Sequence, residues 1–185
     1  MTGLPDPALV LLVGAPASGK STWTRARFAA TQRVSLDDLR GQICDDPGDM
    51  SATETAVVLL HGIVAARMGR RLTTVVDNTN AVAAHRAPLI HLAHQHGVPV
   101  VGIFFDVEVE VCLARNAARN RQVPEAALRD IHAKVVASEL DLPGECDSVF
   151  WHRQQTDWEA EAHRKVAADS RGFNQAPYGF ARRLS

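Results

Sequence analysis

Residues 14–21 read Gly-Ala-Pro-Ala-Ser-Gly-Lys-Ser and come directly after an apolar run at residues 8–13. Two glycines separated by four residues and followed by Lys and Ser form the pattern of a phosphate-binding P-loop. Glycine permits the tight turn that aims successive backbone N–H groups at one anion, and the following helix adds the positive end of its dipole. The alternative, a Gly-rich turn that meets the pattern by accident, is disfavoured because strand, loop and helix arrive in the required order. The stretch therefore predicts a nucleotide site.

The P-loop gives its side chains distinct roles toward a nucleoside triphosphate. Lys20 is expected to reach the β- and γ-phosphates as a point charge, and the Ser21 hydroxyl is expected to bind Mg²⁺. ATP and Mg²⁺ are therefore the predicted cofactors. The predicted nucleotide-binding residues of the loop are Gly14, Ala15, Pro16, Ala17, Ser18, Gly19, Lys20, Ser21 and Thr22.

The composition fits one soluble domain. The 185 residues are 46% hydrophobic and 22% charged, which is enough apolar sequence for one α/β core. A formal net charge of -1 excludes a global positive field, although a local basic surface is compatible with it. Cys44, Cys112 and Cys146 are far apart and outside any C-x-x-C spacing, which indicates reduced thiols. No stretch approaches the length of a membrane span, so we expect a cytoplasmic protein without a membrane partner. Assembly into a homo-oligomer is left open.

The order of apolar runs and helical periods predicts the fold class. Strands alternate with helices, and the P-loop follows the first strand, which predicts an α/β fold with a doubly wound parallel sheet of about five strands. The capping-box pair Ser51 and Glu54 predicts the start of one long helix. We expect a single domain at residues 1–168, with a lid at about 115–124, and a tail at 169–185. The predicted strands are 8–13, 33–36, 72–76, 98–105 and 148–151. The predicted helices are 21–30, 82–96, 108–120, 125–139 and 157–168, and two further helices are predicted to begin at residues 39 and 51.

Asp37 is the predicted catalytic carboxylate. It ends the second strand, and ligands of open parallel sheets collect beyond the carboxyl ends of the strands. A carboxylate there can accept the proton of an acceptor hydroxyl. The alternative is that Asp37 or Asp38 caps the helix predicted from Leu39.

Arg40 lies three residues after Asp37 and shares its helical face. Its guanidinium can bind a substrate phosphate through two parallel hydrogen bonds. A surface ion pair with the acidic loop that holds Asp45, Asp46 and Asp49 is the competing interpretation.

A second polar cluster, Asp77-Asn78-Thr79-Asn80, follows the third strand. Asp77 occupies the position of a Walker B acid and can hold a Mg²⁺-bound water. Asn78, Thr79 and Asn80 either cap the next helix or orient Asp37, and the four residues are predicted to line the acceptor side of the site.

Cationic side chains gather at the predicted lid. Arg115 and Arg119 are one helical turn apart and Arg121 continues onto the loop, so a lid arginine can neutralise charge on a migrating phosphoryl group. A solvated basic helix face is the alternative. His91, His94 and His96 lack a nearby acidic or Cys ligand, which favours solvated histidines over a metal site.

With these motifs in order, residues 9–137 resemble the 5′-hydroxyl polynucleotide kinase family. The family loop Gly-x-Pro-x-Ser-Gly-Lys-Ser-Thr is matched by residues 14–22, and the lid pattern Arg-Asn-x-x-Arg by Arg115, Asn116 and Arg119. The resemblance implies a P-loop kinase fold like that of adenylate kinase. It also implies that Asp37 is the general base, that Arg40 binds the phosphate 3′ of the target nucleoside, and that Arg119 contacts phosphate in the transition state. In the family, the acid at the end of the third strand corresponds to Asp77 or to Asn78.

The chain departs from the fused members of that family in two ways. It has no Asp-x-Asp-Gly-Thr phosphatase signature, so a 3′-phosphatase activity is not expected. The chain beyond about residue 145 does not match the family, and its residues 164–183 hold Arg164, Lys165, Arg171, Arg182 and Arg183 interleaved with Phe173, Tyr178 and Phe180. Basic and aromatic residues together favour single-strand nucleic-acid binding, and docking of the tail on its own domain is the equal alternative.

The expected activity is therefore ATP-dependent transfer of the γ-phosphate to the 5′-OH end of DNA or RNA. A kinase acting on a small molecule, similar to zeta toxins or antibiotic phosphotransferases, is the alternative within the same chemistry. A non-catalytic nucleotide switch is the third and least favoured hypothesis, because Lys20, Ser21, Asp37 and Arg119 are all present.

Overall fold

The computed structural model describes residues 3–153. The helix predicted at 157–168 and the tail at 169–185 lie outside the described residues. Within them, five parallel strands form one sheet in the order β2-β3-β1-β4-β5. This confirms the predicted doubly wound parallel sheet. The strands are β1 (Leu9–Val13), β2 (Arg33–Val34), β3 (Thr74–Val76), β4 (Val100–Asp106) and β5 (Ser148–Arg153).

Helices cover both faces of the sheet. β1 lies at its centre, with Leu11 opposite Val76 of β3 and Val13 opposite Phe104 of β4. Alternate residues of β1 face the two layers, so every β1 side chain is buried and the strand reads as a continuous apolar run. The helices are α1 (Lys20–Arg25), α2 (Leu36–Cys44), α3 (Thr53–Met68), α4 (Ala83–Gln95), α5 (Val109–Ala117), α6 (Glu125–Ala137) and α7 (Leu142–Glu145).

Two cores lie on opposite sides of the sheet. Helices α2, α3 and α4 pack on the face that holds Leu9, Leu11 and Val13. The face that holds Val10 and Leu12 is covered by α1, α5 and α6. The polar clusters predicted from sequence follow the carboxyl ends of β1, β2 and β3, which meet at one edge of the parallel sheet.

Several predicted helix boundaries are wrong for local reasons. α1 ends at Arg25, short of residue 30, and α5 ends at Ala117, short of residue 120. The predicted Ser51–Glu54 capping box is also wrong, because Asp49 accepts the Ser51 N–H at 2.9 Å and starts a 3₁₀ turn at Met50–Ala52. An Asp side chain competes well for a free N–H at a helix start, so the turn begins two residues before the predicted cap.

Across residues 3–153, no helix combines the length and the apolarity needed to cross a membrane.

Candidate active site

The loop between β1 and α1 has the backbone geometry that its glycines predict. A Cβ at Gly14 would lie 2.8 Å from Phe105 Cβ and 2.9 Å from Ser18 Oγ, so the loop closes too tightly for a side chain there. Gly19 has a φ of +100°, a conformation that side chains rarely adopt, and it caps α1. The backbone therefore curls around the start of α1, as a phosphate cradle requires.

Lys20 lies inside this loop. Its side-chain ammonium donates to the Gly14 and Ala15 carbonyls, both at 2.7 Å, and to Ser18 Oγ at 3.3 Å. The pKa of Lys20 is lowered to about 8, chiefly by burial and in smaller part by the charge of Arg119, whereas Asp77, Cys112 and Asp37 act to raise it. Four charged groups on four separate segments of the sequence, Lys20, Asp37, Asp77 and Arg119, thus interact electrostatically.

Asp77 has the features of a carboxylate that serves a cation. One oxygen, Oδ2, accepts from the Thr24 hydroxyl at 3.3 Å, while Oδ1 is buried without a hydrogen-bond partner among the described residues. Buried carboxylate oxygens are rarely left unpaired, and carboxylate and hydroxyl oxygens are the donors that Mg²⁺ prefers. Asp77 and Ser21 therefore fit a Mg²⁺ ion held beside the phosphates, directly or through water. The bound ion would neutralise phosphate charge.

Asp37 lies in the first turn of α2, because this helix begins at Leu36 and not at the predicted Leu39. The helix begins at Leu36 because Ser35 Oγ accepts the Asp38 N–H at 3.4 Å. The interpretation of Asp37 or Asp38 as the cap of a helix starting at Leu39 is therefore wrong. The Asp37 side chain is 53% exposed.

Arg40 is buried, contrary to the expectation of a surface ion pair with the acidic loop at residues 45–49. Its side chain is 5% exposed, forms an ion pair with Asp37 and donates from Nε to the Pro47 carbonyl at 3.0 Å. The loop presents this carbonyl to Arg40, while the carboxylates of Asp46 and Asp49 accept backbone N–H groups of Gly48 and Ser51. Arg40 thus fixes the position of Asp37.

The cluster after β3 ties the site together. Asn78 Oδ1 accepts the Leu36 N–H at 2.9 Å, which fixes the turn that carries Asp37. The Thr79 carbonyl accepts from the Gly14 N–H at 3.1 Å, and the buried Asn80 side chain donates to the Leu12 carbonyl at 2.7 Å. The N-cap position of α4 is occupied by Val82, and none of these three side chains caps the helix. The side chains of Asn78 and Asn80 and the backbone carbonyl of Thr79 instead connect the P-loop and β1 to the segment that carries Asp37.

The lid folds back on itself. Asn116 is buried and forms two hydrogen bonds with the backbone of Val123, at 2.8 and 3.0 Å. This closes the loop that carries Arg119 and Arg121, whereas Arg115 lies in the last turn of α5. Arg121 Nη1 lies 3.7 Å from Asp37 Oδ2 and donates to the Pro47 carbonyl at 2.8 Å. The predicted lid therefore approaches Asp37 through Arg121 and influences Lys20 electrostatically through Arg119.

Sequence reasoning missed the ion pair of Arg86 and Glu145. Arg86 is fully buried, and its guanidinium donates twice to Glu145, at 2.6 and 2.8 Å, and once to the Asn80 carbonyl at 2.7 Å. The sequence held a signal for this pair: Arg86 precedes Leu89 and Ala93 at helical spacing, which places the arginine on the buried face of α4. The pair anchors the end of the Asp77-to-Asn80 cluster.

The histidines of α4 have ordinary polar contacts. His94 Nε2 lies 3.1 Å from Asp147 Oδ2, and His91 Nε2 lies 2.9 Å from the Gln95 amide. Within residues 3–153, no cluster of His, Cys, Asp and Glu is arranged to hold a metal ion by itself.

The affinity for ATP is expected to fall as the pH rises through about 8, the pKa of Lys20. Bound phosphates stabilise the ammonium form and raise this pKa, so above pH 8 binding must take up a proton. The apparent Kd should therefore rise by up to about tenfold per pH unit above that value. Titration calorimetry in two buffers of different ionisation enthalpy measures the proton uptake directly.

The matched control is Lys20→Arg, whose guanidinium stays charged over this range. Its affinity should be nearly independent of pH between 7.5 and about 9.5, whatever its absolute value. An equal pH dependence in both proteins would contradict the role of Lys20.

Fold and site together define a P-loop domain of the kinase type. Residues 9–137 match the model of the family described as an AAA domain, and the chain belongs to that family. An L-seryl-tRNA(Sec) kinase of Methanococcus maripaludis is 22% identical over 141 residues, which are 74% of this chain and 53% of that protein.

Solved structures share the fold. A chain of a Pnkp1/Rnl/Hen1 RNA repair complex has a TM-score of 0.64 and 23% identity, covering 76% of this chain and 48% of its own. A gluconokinase from Sinorhizobium meliloti 1021 has a TM-score of 0.54 and 18% identity, covering 89% and 92%. The chain thus spans about half the length of the tRNA kinase and of the repair-complex chain.

Proposed function

We propose that the protein is an ATP-dependent kinase that phosphorylates the 5′-hydroxyl end of RNA or DNA. The observation that carries the phosphotransfer chemistry is the Lys20 ammonium buried inside the P-loop, where it donates to the Gly14 and Ala15 carbonyls at 2.7 Å. Asp77, Arg119 and Asp37 are near enough to Lys20 to influence its pKa electrostatically. A phosphate donor at Lys20 would thus have a Mg²⁺ ligand in Asp77 and a half-exposed carboxylate in Asp37. This is the two-sided arrangement that phosphoryl transfer needs.

In the proposed reaction, the acceptor oxygen forms a bond to the γ-phosphorus, the bond from that phosphorus to the β,γ-bridging oxygen breaks, and ADP leaves. Asp37 takes the proton of the attacking hydroxyl. Lys20 and Arg119 neutralise the charge on the phosphoryl oxygens, Arg115 assists from α5, and backbone N–H groups between residues 17 and 22 bind the phosphates. Arg40 acts through Asp37, whose position it fixes.

A nucleic-acid acceptor is supported by two resemblances. The order and spacing of the P-loop, the Asp37–Arg40 pair and the Arg-Asn-x-x-Arg lid resemble 5′-hydroxyl polynucleotide kinases. Among the similar proteins, one phosphorylates a residue carried by tRNA according to its name, and another belongs to an RNA repair complex.

Transfer of labelled γ-phosphate from ATP to 5′-OH oligonucleotides tests the proposal. RNA and DNA of the same sequence should be labelled, whereas oligonucleotides that already carry a 5′-phosphate should not be. Asp37→Asn is the control for contaminating kinases. ATP binding without labelling of either nucleic acid would refute the acceptor assignment and leave the nucleotide site intact.

A small-molecule acceptor is the second candidate, and the burial of Arg40 favours it. The arginine that the resemblance assigns to the acceptor phosphate is 5% exposed and already bonded to Asp37 and the Pro47 carbonyl. A gluconokinase also shares the fold. Labelling of a sugar acid or a nucleotide sugar, in preference to oligonucleotides, would support this candidate.

A further inference from the structure

Two guanidinium groups share the same partners on the side of the site where the phosphoryl acceptor is predicted to bind. Arg40 and Arg121 both approach the Asp37 carboxylate, Arg40 at Oδ1 and Arg121 at Oδ2. Both also donate to the same Pro47 carbonyl, at 3.0 Å from Arg40 and 2.8 Å from Arg121. One arginine comes from α2 and the other from the lid, so this point joins the lid to the acceptor side.

The two arginines differ in what they can still bind. The Arg40 side chain is 5% exposed and occupied by its ion pair, whereas the Arg121 side chain is 47% exposed. The contact of Arg121 with Asp37 is long at 3.7 Å, and an exposed pair of this kind contributes little stability. Arg121 can therefore exchange its present contacts for a ligand at small cost, whereas Arg40 cannot.

The exposed Arg121 guanidinium lies where an anionic ligand can reach it. Asp37 is shared by two guanidiniums, and its own side chain is 53% exposed. Gly48 admits Arg121 closely, since a Cβ there would lie 3.3 Å from Arg121 Nε and 2.9 Å from Asp46 Oδ1. Asp46 accepts the Gly48 N–H at 2.7 Å and keeps its negative charge. An acceptor phosphate must therefore compete with these carboxylates for Arg121, and its two parallel hydrogen bonds to a guanidinium favour the exchange.

We propose that Arg121 is the residue that selects the acceptor, by binding the acceptor's phosphate that neighbours the reacting hydroxyl. This inference rests on the proposed function and reassigns the phosphate contact from Arg40 to the lid. A guanidinium binds a phosphate through two parallel hydrogen bonds. Binding of that phosphate draws Arg121 off the Pro47 carbonyl and leaves Asp37 with Arg40 alone, so Arg121 exchanges its contacts within the chain for the acceptor phosphate.

The test compares two 5′-OH dinucleotides that differ only in the linkage, a phosphodiester or a neutral methylphosphonate. Wild-type protein should use the phosphodiester with a kcat/KM about tenfold higher or more, as expected for one charge-assisted contact. Arg121→Ala should abolish this preference by lowering kcat/KM for the phosphodiester only, and Arg121→Lys should restore part of it. The KM for ATP should be unchanged in both variants.

Arg40→Ala is the matched comparison. Because Arg40 acts through Asp37, its loss should lower kcat for both dinucleotides equally and preserve the preference. Three results would overturn the inference while transfer to the phosphodiester persists: no linkage preference in the wild type, an Arg121→Ala preference equal to the wild type, or a preference lost in Arg40→Ala alone. If neither dinucleotide is phosphorylated by the wild type, the proposed function itself fails.

Discussion

Replacing Asp37 with Asn is expected to lower kcat for phosphoryl transfer by about 10²- to 10⁴-fold, the usual contribution of a general base. Asn keeps the shape and one oxygen of the side chain, so it leaves a hydrogen-bond acceptor for Arg40 and removes only the basic oxygen. Lys20 and the P-loop are untouched, and the KM for ATP should therefore change little. Single-turnover transfer of labelled phosphate measures the loss in the chemical step.

Asp38→Asn is the control for this prediction. Asp38 is the next residue in the same first turn of α2 and is also acidic, so its replacement changes the charge of the helix end equally. Its backbone N–H, which Ser35 accepts, is unaffected. Equal losses in the two variants would mean that the charge of the α2 terminus, and not a base at residue 37, supports the reaction.

Stability must be measured beside activity, because Asp37 is the ion-pair partner of the buried Arg40. A lowered melting temperature with ATP-induced stabilisation preserved would separate a folded, inactive enzyme from a misfolded one. If Asp37→Asn is folded, binds ATP and transfers phosphate at the wild-type rate, Asp37 is not the base.

The parts of this site that follow from local sequence were predictable. Gly19 is required by a positive φ, a property of the local backbone, and Gly14 by a tight loop whose Ser18 side chain leaves no room for a Cβ, although Phe105 of β4 crowds Gly14 as well. The apolar run of β1 identifies a strand buried on both faces, because no polar residue interrupts it. Strand ends in a parallel sheet meet at one edge, which is why Asp37, Asp77 and Lys20 could be assigned to one region before the fold was known.

The roles that depend on distant partners were not predictable. Arg40 was expected to face solvent or substrate, yet the Pro47 carbonyl seven residues later draws it inside. Asn78 bonds to a backbone N–H 42 residues earlier in the chain. Asn80 bonds to a carbonyl 68 residues earlier. The sequence around Asn78 and Asn80 is equally consistent with helix caps. Only tertiary packing decides between capping the next helix and bonding to a distant segment of the backbone.

Replacing Arg86 with Ala is expected to cost about 3–5 kcal/mol of unfolding free energy, the range for a broken buried ion pair. Arg86 is fully buried and makes three hydrogen bonds. Its loss leaves Glu145, whose side chain is 21% exposed, and the Asn80 carbonyl without their cation. Urea denaturation followed by circular dichroism gives the change in stability. Arg129→Ala, which removes an exposed arginine with two carboxylate partners, should show no measurable change.

The same substitution should weaken ATP binding, although Arg86 lies in a helix outside the P-loop. The Arg86 guanidinium donates to the Asn80 carbonyl, the Asn80 side chain donates to the Leu12 carbonyl in β1, and the adjacent Thr79 carbonyl accepts from the Gly14 N–H.

Replacing both Arg86 and Glu145 with Leu separates the effect on stability from the effect on ATP binding. Replacing both members of a buried pair costs less than removing one, so the double variant should regain stability relative to Arg86→Ala. The Asn80 carbonyl still lacks its donor, so the deficit in ATP affinity should persist. Recovery of ATP affinity together with stability would show that Arg86 supports the fold alone and does not position the loop.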